Sequence, residues 1–265
     1  MDRRSWGGDG GSRAVIAGEP SGSERQPPPF TVMTCNVGNG LARPDRLVPA
    51  LRYSAADLVA LQELELSQSE AIEMELSGEY PYRTLWPGGF EGRGLISRYP
   101  ILSAERLQSS SSDLLCIIDL EGRDLTVISA HLPPPISFYG IGLDRRRAQI
   151  IEIIEAAKSR SPALILGDLN AVVWENPCSQ LRSAGLIDAF REAGKGRGST
   201  LPFRLGRWRR LRLVNRALMG IPLVPVVRVD YIWHTAEVRA LEAWMGADTG
   251  SDHLPVMARL EIIDR

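Results

Sequence analysis

The segment "LILGDLNAV", residues 164–172, is an apolar run that stops at a glycine and then offers a carboxylate, Asp168, and an amide, Asn170. Side chains of an extended segment alternate between faces, so this spacing predicts that Asp168 and Asn170 project to one side at the mouth of a buried strand. An aspartate there can orient or deprotonate a water, and an amide can hold a phosphoryl oxygen. An Asx turn with Asn170 capping a helix is the plain structural reading of the same residues. Other apolar runs also end in residues of catalytic type. "TCNVGNG" ends at Asn36, which equally suits a turn ahead of glycines. "VALQELE" puts Gln62 and Glu63 after an apolar run, where a carboxylate suits either a helix start or a hard cation such as Mg2+. "ISAHLPPP" places His131 at a strand end, before prolines that stiffen the next stretch of chain.

The last two groups are expected to meet. Asp230 in "RVDYIW" falls inside a strand-like stretch, where an unpaired charge costs several kcal/mol, so it needs a partner. "TGSDHLPVMARL" supplies one in His253, which follows Asp252 just before the closing strand. An Asp230–His253 pair would fix the imidazole tautomer and support its positive charge. Of the 3 histidines, the remaining one, His234 in "YIWHT", is assigned to structure.

These groups need rigid mounts, and the chain supplies an alternation of strands and helices. "FTVMTC", "DLVALQ", "YRTLW", "RGLISR", "LLCIIDL", "LTVISAHL", "ALILGD", "VVRVDYIWH" and "PVMARLEII" read as strands, and the middle ones, separated by turns such as "EGRD", as a meander. "RPDRLVPALRYS" reads as a helix with Pro44 near its start, and "SQSEAIEMELS" as one with a serine cap. "GLDRRRAQIIEIIEAAKS" is the clearest helix, with Ile150, Ile151 and Ile154 on one face. Alternation places Cys35 in the core beside Asn36. Without a strict βαβα rhythm, the pattern predicts an α+β or layered α/β domain, sheet on sheet with helices outside.

The totals set limits. A chain of 265 residues, 44% apolar, can bury a core of its own, and one domain is expected from Phe30 onward. Residues 1–29, rich in Gly, Ser, Arg and Pro, read as a disordered arm. No run of 18 uncharged apolar residues and no apolar signal-like core exists, so a cytoplasmic protein is expected. Cys35, Cys116 and Cys178 are far apart, which suggests neither a disulfide framework nor a thiolate zinc site. A net charge of −1 excludes the overall positive field of a non-specific nucleic-acid binder, so attraction for phosphate must be local.

Taken in order, "LVALQE", "GDLNA", "RVDYIW" and "SDHLPV" resemble the endonuclease/exonuclease/phosphatase superfamily, and "GRGLISRYPI" looks like a strand pair of that family. The resemblance runs from Phe30 to about Ile263. It implies a four-layer α/β/β/α sandwich of two packed mixed sheets flanked by helices, forming one catalytic domain over residues 30–265. It also implies a divalent-metal-dependent hydrolase of phosphoester bonds, foremost a phosphodiesterase or nuclease, using Mg2+ or Mn2+. Asn36, Glu63 and Asp252 would lie near the metal. Asp168 and Asn170 would handle the water and a phosphoryl oxygen, His131 would face the phosphoryl group or leaving oxygen, and His253, oriented by Asp230, would stabilise developing charge. Such an ion answers the two difficulties of a phosphodiester, charge repulsion and a poor leaving group. Gly38 stands where some family nucleases carry a second polar residue, which speaks against an abasic-site endonuclease.

Substrate contacts are expected from Arg93 and from "RLGRWRRLRLVNR", where Arg207, Arg209 and Arg210 alternate with Trp208 and leucines. Residues 204–216 could grip a nucleic-acid backbone, touch an anionic membrane, or form an ordinary solvated element. The expected partners are therefore nucleic acid or an anionic lipid head group, with phospholipid or sphingomyelin head groups and phosphate monoesters as alternative substrates. A monomer is expected. A non-enzymatic scaffold on the same fold would show decay of a polar strand end, and only the Gly38 position does.

Overall fold

The computed structural model describes residues 26–109, 112–135, 141–204 and 221–263. Two parallel strand pairs form its centre. β1 (Phe30–Asn36) and β2 (Leu58–Gln62) are joined by α1 (Pro44–Ser54), followed by α2 (Leu66–Glu75). The hairpin β3 (Tyr82–Trp86) and β4 (Arg93–Ser97) extends that sheet beyond β2. The chain then crosses over and lays down β5 (Ile101–Arg106), β6 (Leu114–Leu120) and β7 (Arg123–His131) as an antiparallel meander. α3 (Ile141–Ser159) leads to β8 (Ala163–Asp168), parallel to β7. α4 (Asn176–Ser183), β9 (Ile187–Asp188), α5 (Ala189–Ala193) and β10 (Asp230–His234) follow, and β11 (Val238–Met245) with β12 (Val256–Ile262) closes the first sheet.

The result is two six-stranded mixed sheets, β11-β12-β1-β2-β4-β3 and β5-β6-β7-β8-β10-β9, the expected layered sandwich. One apolar core fills the space between the sheets, a second lies between β7, β8 and β10 and the helices α3 and α4, and a third lies under α1 and α2. Period-two alternation sorts the residues. Val32 and Leu58, Val127, Leu164 and Ile232 face the inter-sheet core, while Met33, Val59, Ile128, Ile165 and Trp233 face helices. Carried to the strand ends, the same alternation turns Asn36, Gln62, His131, Asp168 and Asp230 toward the inter-sheet face. The register puts His131 beside Asp168 across the parallel pair and Asp230 beside Asp168 across the antiparallel one. Gly167, just before Asp168, has no alternative residue, because a Cβ there would lie 1.8 Å from the Ala130 carbonyl oxygen of β7.

Several expectations are corrected. β4 and β5 are not one strand pair but belong to opposite sheets, and only β5–β7 form the meander. α2 is capped by Glu65, whose carboxylate accepts from Ser67 N while Gln68 reaches back to Glu65 N, a capping box, so no serine caps it. The buried stripe of α3 runs through Ile150, Ile153 and Ala157; Ile151 is 45% exposed because it lies about 100° round the helix from Ile150. Pro27, within the expected arm, is buried. Residues 1–25 of the expected arm lie outside the described residues. All three cysteines are free and buried, with Cys35 in the core as alternation requires. Among the described residues, no helix is long and apolar enough to cross a membrane.

Candidate active site

The C-terminal ends of the two parallel pairs meet across the sandwich, and Oδ2 of Asp168 is where they converge. It accepts from Asn36 Nδ2 at 3.0 Å and lies 3.4 Å from Asn170 Nδ2, 3.7 Å from His131 Nε2 and 3.9 Å from His253 Nε2. Asn36 Nδ2 also donates to Glu63 Oε1 at 3.2 Å, and that oxygen lies 3.6 Å from His131 Nε2. His253 Nδ1 meets Asp230 Oδ2 at 2.9 Å, the pair anticipated from the sequence. Asn36, Glu63, His131, Asp168, Asn170, Asp230 and His253 therefore share one pocket, although they span more than two hundred residues of chain.

Two of them arrive by a route that alternation does not predict. Glu63 follows an inward Gln62 and should face the helices, but it adopts φ 58°, and this left-handed turn swings its carboxylate back to the pocket. Such a conformation costs a non-glycine residue about 1–2 kcal/mol. Neighbours hold it there: Asn39 N–H donates to the Glu63 carbonyl at 3.0 Å, and Gly88 and Gly89 N–H groups donate to the Leu64 carbonyl at 2.9 and 3.0 Å. Asn170 likewise has φ 43°, because Asp168 Oδ1 accepts its N–H at 2.8 Å in an Asx turn. Asp168 and Asn170 are brought together by this turn rather than by a continuing strand, and Asn170 caps no helix, since α4 starts after Glu175.

Electrostatics follow from burial. The Asp168 carboxyl is pushed up to about 7, first by burial and then by the charge of Asp230, with His253 pulling the other way. For His253, burial opposes the charged form, but Asp230 and then Asp168 outweigh it, and its pKa is pushed up to about 10. Ligand atoms of Glu63, His131 and Asp168 lie within 4.8 Å of one another, as do those of Asp168, Asp230 and His253. Buried carboxylate oxygens with one imidazole are a donor set that suits a hard divalent cation, and a cation beside Asp168 would restore its charged form.

Asn36 and Asp252, both expected near the metal, are buried. The Asn36 amide oxygen accepts the Gly38 N–H at 2.9 Å, so this residue meets the carboxylates with its NH2 and braces them. Asp252 is buried next to Gly38, whose missing Cβ would come within 3.2 Å of Asp252 Oδ1, and it falls outside both ligand-atom groups. Ser251 Oγ, unforeseen from the sequence, donates to the Asn36 carbonyl at 2.7 Å and accepts His253 N–H at 3.2 Å, tying β1 to the His253 turn.

Arg93, expected to contact substrate, is buried and lines a cavity with His131. It is 1% exposed, and its terminal nitrogens donate to the carbonyls of Phe90, Gly92 and His131 and to Ser112 Oγ. Arg207, Arg209 and Arg210 lie outside the described residues. His234 is fully buried and bonded to Glu192 and the Thr235 carbonyl, a structural histidine.

The main chain of His131 is clamped from both sides. Its N–H donates to Asp113 Oδ1 at 3.0 Å, and its carbonyl accepts from Gln149 Nε2 at 3.0 Å; Gln149 also donates to Asp113 Oδ2 at 2.6 Å. Sequence reasoning missed Asp113 and Gln149, although a glutamine within the buried stripe of α3 was a signal. Gln149→Leu keeps the volume but removes one donor from the buried Asp113 carboxylate. It should lower unfolding free energy by about 1–3 kcal/mol in a urea melt, and an unchanged midpoint would contradict the clamp.

Comparisons with known proteins come to the same place. The sequence profile described as "Endonuclease/Exonuclease/phosphatase family" matches residues 33–253. The Escherichia coli (strain K12) protein "Uncharacterized protein YbhP" is 24% identical over 271 residues, covering 88% of this chain and 96% of its own. Among solved structures, an endonuclease/exonuclease/phosphatase from Beutenbergia cavernae superposes with TM-score 0.70 at 20% identity, covering 90% of this chain and 72% of that one. Sphingomyelinase C from Streptomyces griseocarneus superposes with TM-score 0.63 at 17% identity, covering 88% and 99%.

Proposed function

Because the chain belongs to the endonuclease/exonuclease/phosphatase family, and is on that ground a hydrolase of phosphoester bonds, we propose that it is a divalent-metal-dependent phosphodiesterase working at the Asp168 pocket. The observation that carries this reading is the convergence on Asp168 Oδ2 of two amides and two imidazoles, with Glu63 alongside. The Glu63 and Asp168 carboxylates would hold the ion, which when bound neutralises phosphoryl charge as a Lewis acid.

The chain's own groups do the rest. Asp168 is placed to orient the attacking water and accept its proton, with Asn36 and Asn170 fixing its carboxylate. Asp230 holds the His253 imidazolium, which is aimed through Nε2 at the same point and stabilises charge developing on the phosphoryl oxygens. His131, its main chain clamped, presents Nε2 to the phosphoryl group or leaving oxygen.

A diester is favoured over a monoester by the arginines. A monoester dianion is usually gripped by guanidinium groups, but Arg93 and Arg146 beside the pocket donate to protein carbonyls, Arg146 to those of Pro133 and Asn170. A singly charged diester asks less of them. Turnover of bis-p-nitrophenyl phosphate should exceed that of p-nitrophenyl phosphate at least about tenfold, require Mg2+ or Mn2+, and stop with EDTA. Metal-independent turnover, or a preference for the monoester, would overturn the proposal.

A further inference from the structure

Beyond the pocket, we infer that a groove beside it is a subsite for a nucleoside substituent of the diester, with the base lying on Trp174. This rests on the phosphodiesterase reading above. The groove has a volume of about 380 Å3 and is lined by Val172, Trp174, Phe190, Arg197, Val226 and Arg228. Asp168 and Asp230 are paired in register, and one residue further on Leu169 N–H donates to the Val229 carbonyl at 2.9 Å. The chain leaving Asp168 then diverges from the chain approaching Asp230, and the gap between them is the groove. The groove lining thus begins four residues from Asp168 along one chain and two from Asp230 along the other.

The lining selects the chemistry of that substituent. Trp174 is 77% exposed and Val226 72%, so an indole and an isopropyl group of the lining stand uncovered. Flat, apolar, π-bearing rings match such a slot, and base–aromatic stacking is tolerant of sequence. Arg197 is exposed and makes no ion pair among the described residues, whereas the charge of Arg228 is answered by Asp188. An exposed guanidinium in the lining of a base-sized groove complements the next phosphate of a strand. A membrane would instead require these apolar groups on a protruding surface, and here they line a concavity.

The test compares two substrates that share a leaving group, thymidine 5′-(p-nitrophenyl phosphate) and methyl p-nitrophenyl phosphate. In Trp174→Ala the ratio of kcat/KM for the thymidine ester to that for the methyl ester should fall about tenfold through KM, and Trp174→Phe should restore most of it. Thymidylyl-thymidine should also quench tryptophan emission in the wild-type protein, and less so in Trp174→Phe, which keeps the stacking face but removes the fluorophore. An unchanged ratio together with quenching that survives in Trp174→Phe would overturn the subsite. So would sedimentation with phosphatidylserine vesicles that depends on Trp174 while the ratio stays fixed. Absence of metal-dependent turnover on both esters would sink the phosphodiesterase reading alone, and the quenching would still decide the groove.

Discussion

Asp168→Asn is expected to lower kcat/KM for bis-p-nitrophenyl phosphate by about 10³- to 10⁴-fold, at the upper end of what one acid–base group contributes. Oδ2 of Asp168 receives Asn36 Nδ2 at 3.0 Å and faces Asn170 Nδ2 and both imidazoles. An amide cannot take the proton of a water, and if its NH2 took that position it would oppose two other NH2 groups. Folding should not suffer in proportion. Asp168 lies among buried acids that push its pKa up to about 7, so neutralising it relieves repulsion in the metal-free protein. The melting temperature without metal should hold or rise, while the increase on adding Mn2+ should shrink, because one oxygen of the ligand-atom group has lost its charge. Activity within tenfold of wild type would remove Asp168 from the reaction.

Asp230→Asn should cost about 10²- to 10³-fold at pH 8 and, more tellingly, move the alkaline limb of the pH profile to lower pH. His253 owes its charge to Asp230. Burial alone favours neutral imidazole, and the 2.9 Å contact with Asp230 and the nearby Asp168 reverse that, pushing the pKa up to about 10. Charge on His253 is therefore present below that value and lost as pH rises through it. Without Asp230, burial is opposed only by the more distant charges, the imidazole deprotonates at lower pH, and the deficit should narrow as pH falls. A pH profile of unchanged shape, merely scaled down, would mean that Asp230 supports the fold and not the imidazolium.

Much of this site was legible in the chain because a strand has a period of two. Once "FTVMTC", "LTVISAHL", "ALILGD" and "RVDYIW" are read as strands, their terminal Asn36, His131, Asp168 and Asp230 must share the face of Val32, Val127, Leu164 and Ile232, each an even number of positions away. The need of a buried carboxylate for a counter-charge likewise pointed Asp230 to His253. Asp113 and Gln149 escaped notice because they act on the main chain of His131, and a backbone hydrogen bond leaves no mark in residue type. Ile151 was misplaced on α3 because consecutive isoleucines cannot both lie on a narrow buried stripe.

The sequence by itself determined the strands, the residues at their ends, the free cysteines and the family they resemble, since these depend on periodicity and on local chemistry. Only the tertiary structure decided which strands share a sheet, that Glu63 turns through a left-handed conformation into the pocket, that Asn36 offers its NH2 and not its oxygen, and that the Arg93 guanidinium is buried against main-chain carbonyls. Each of these depends on which groups from distant parts of the chain are close enough to accept a hydrogen bond, and such proximity has no local signature.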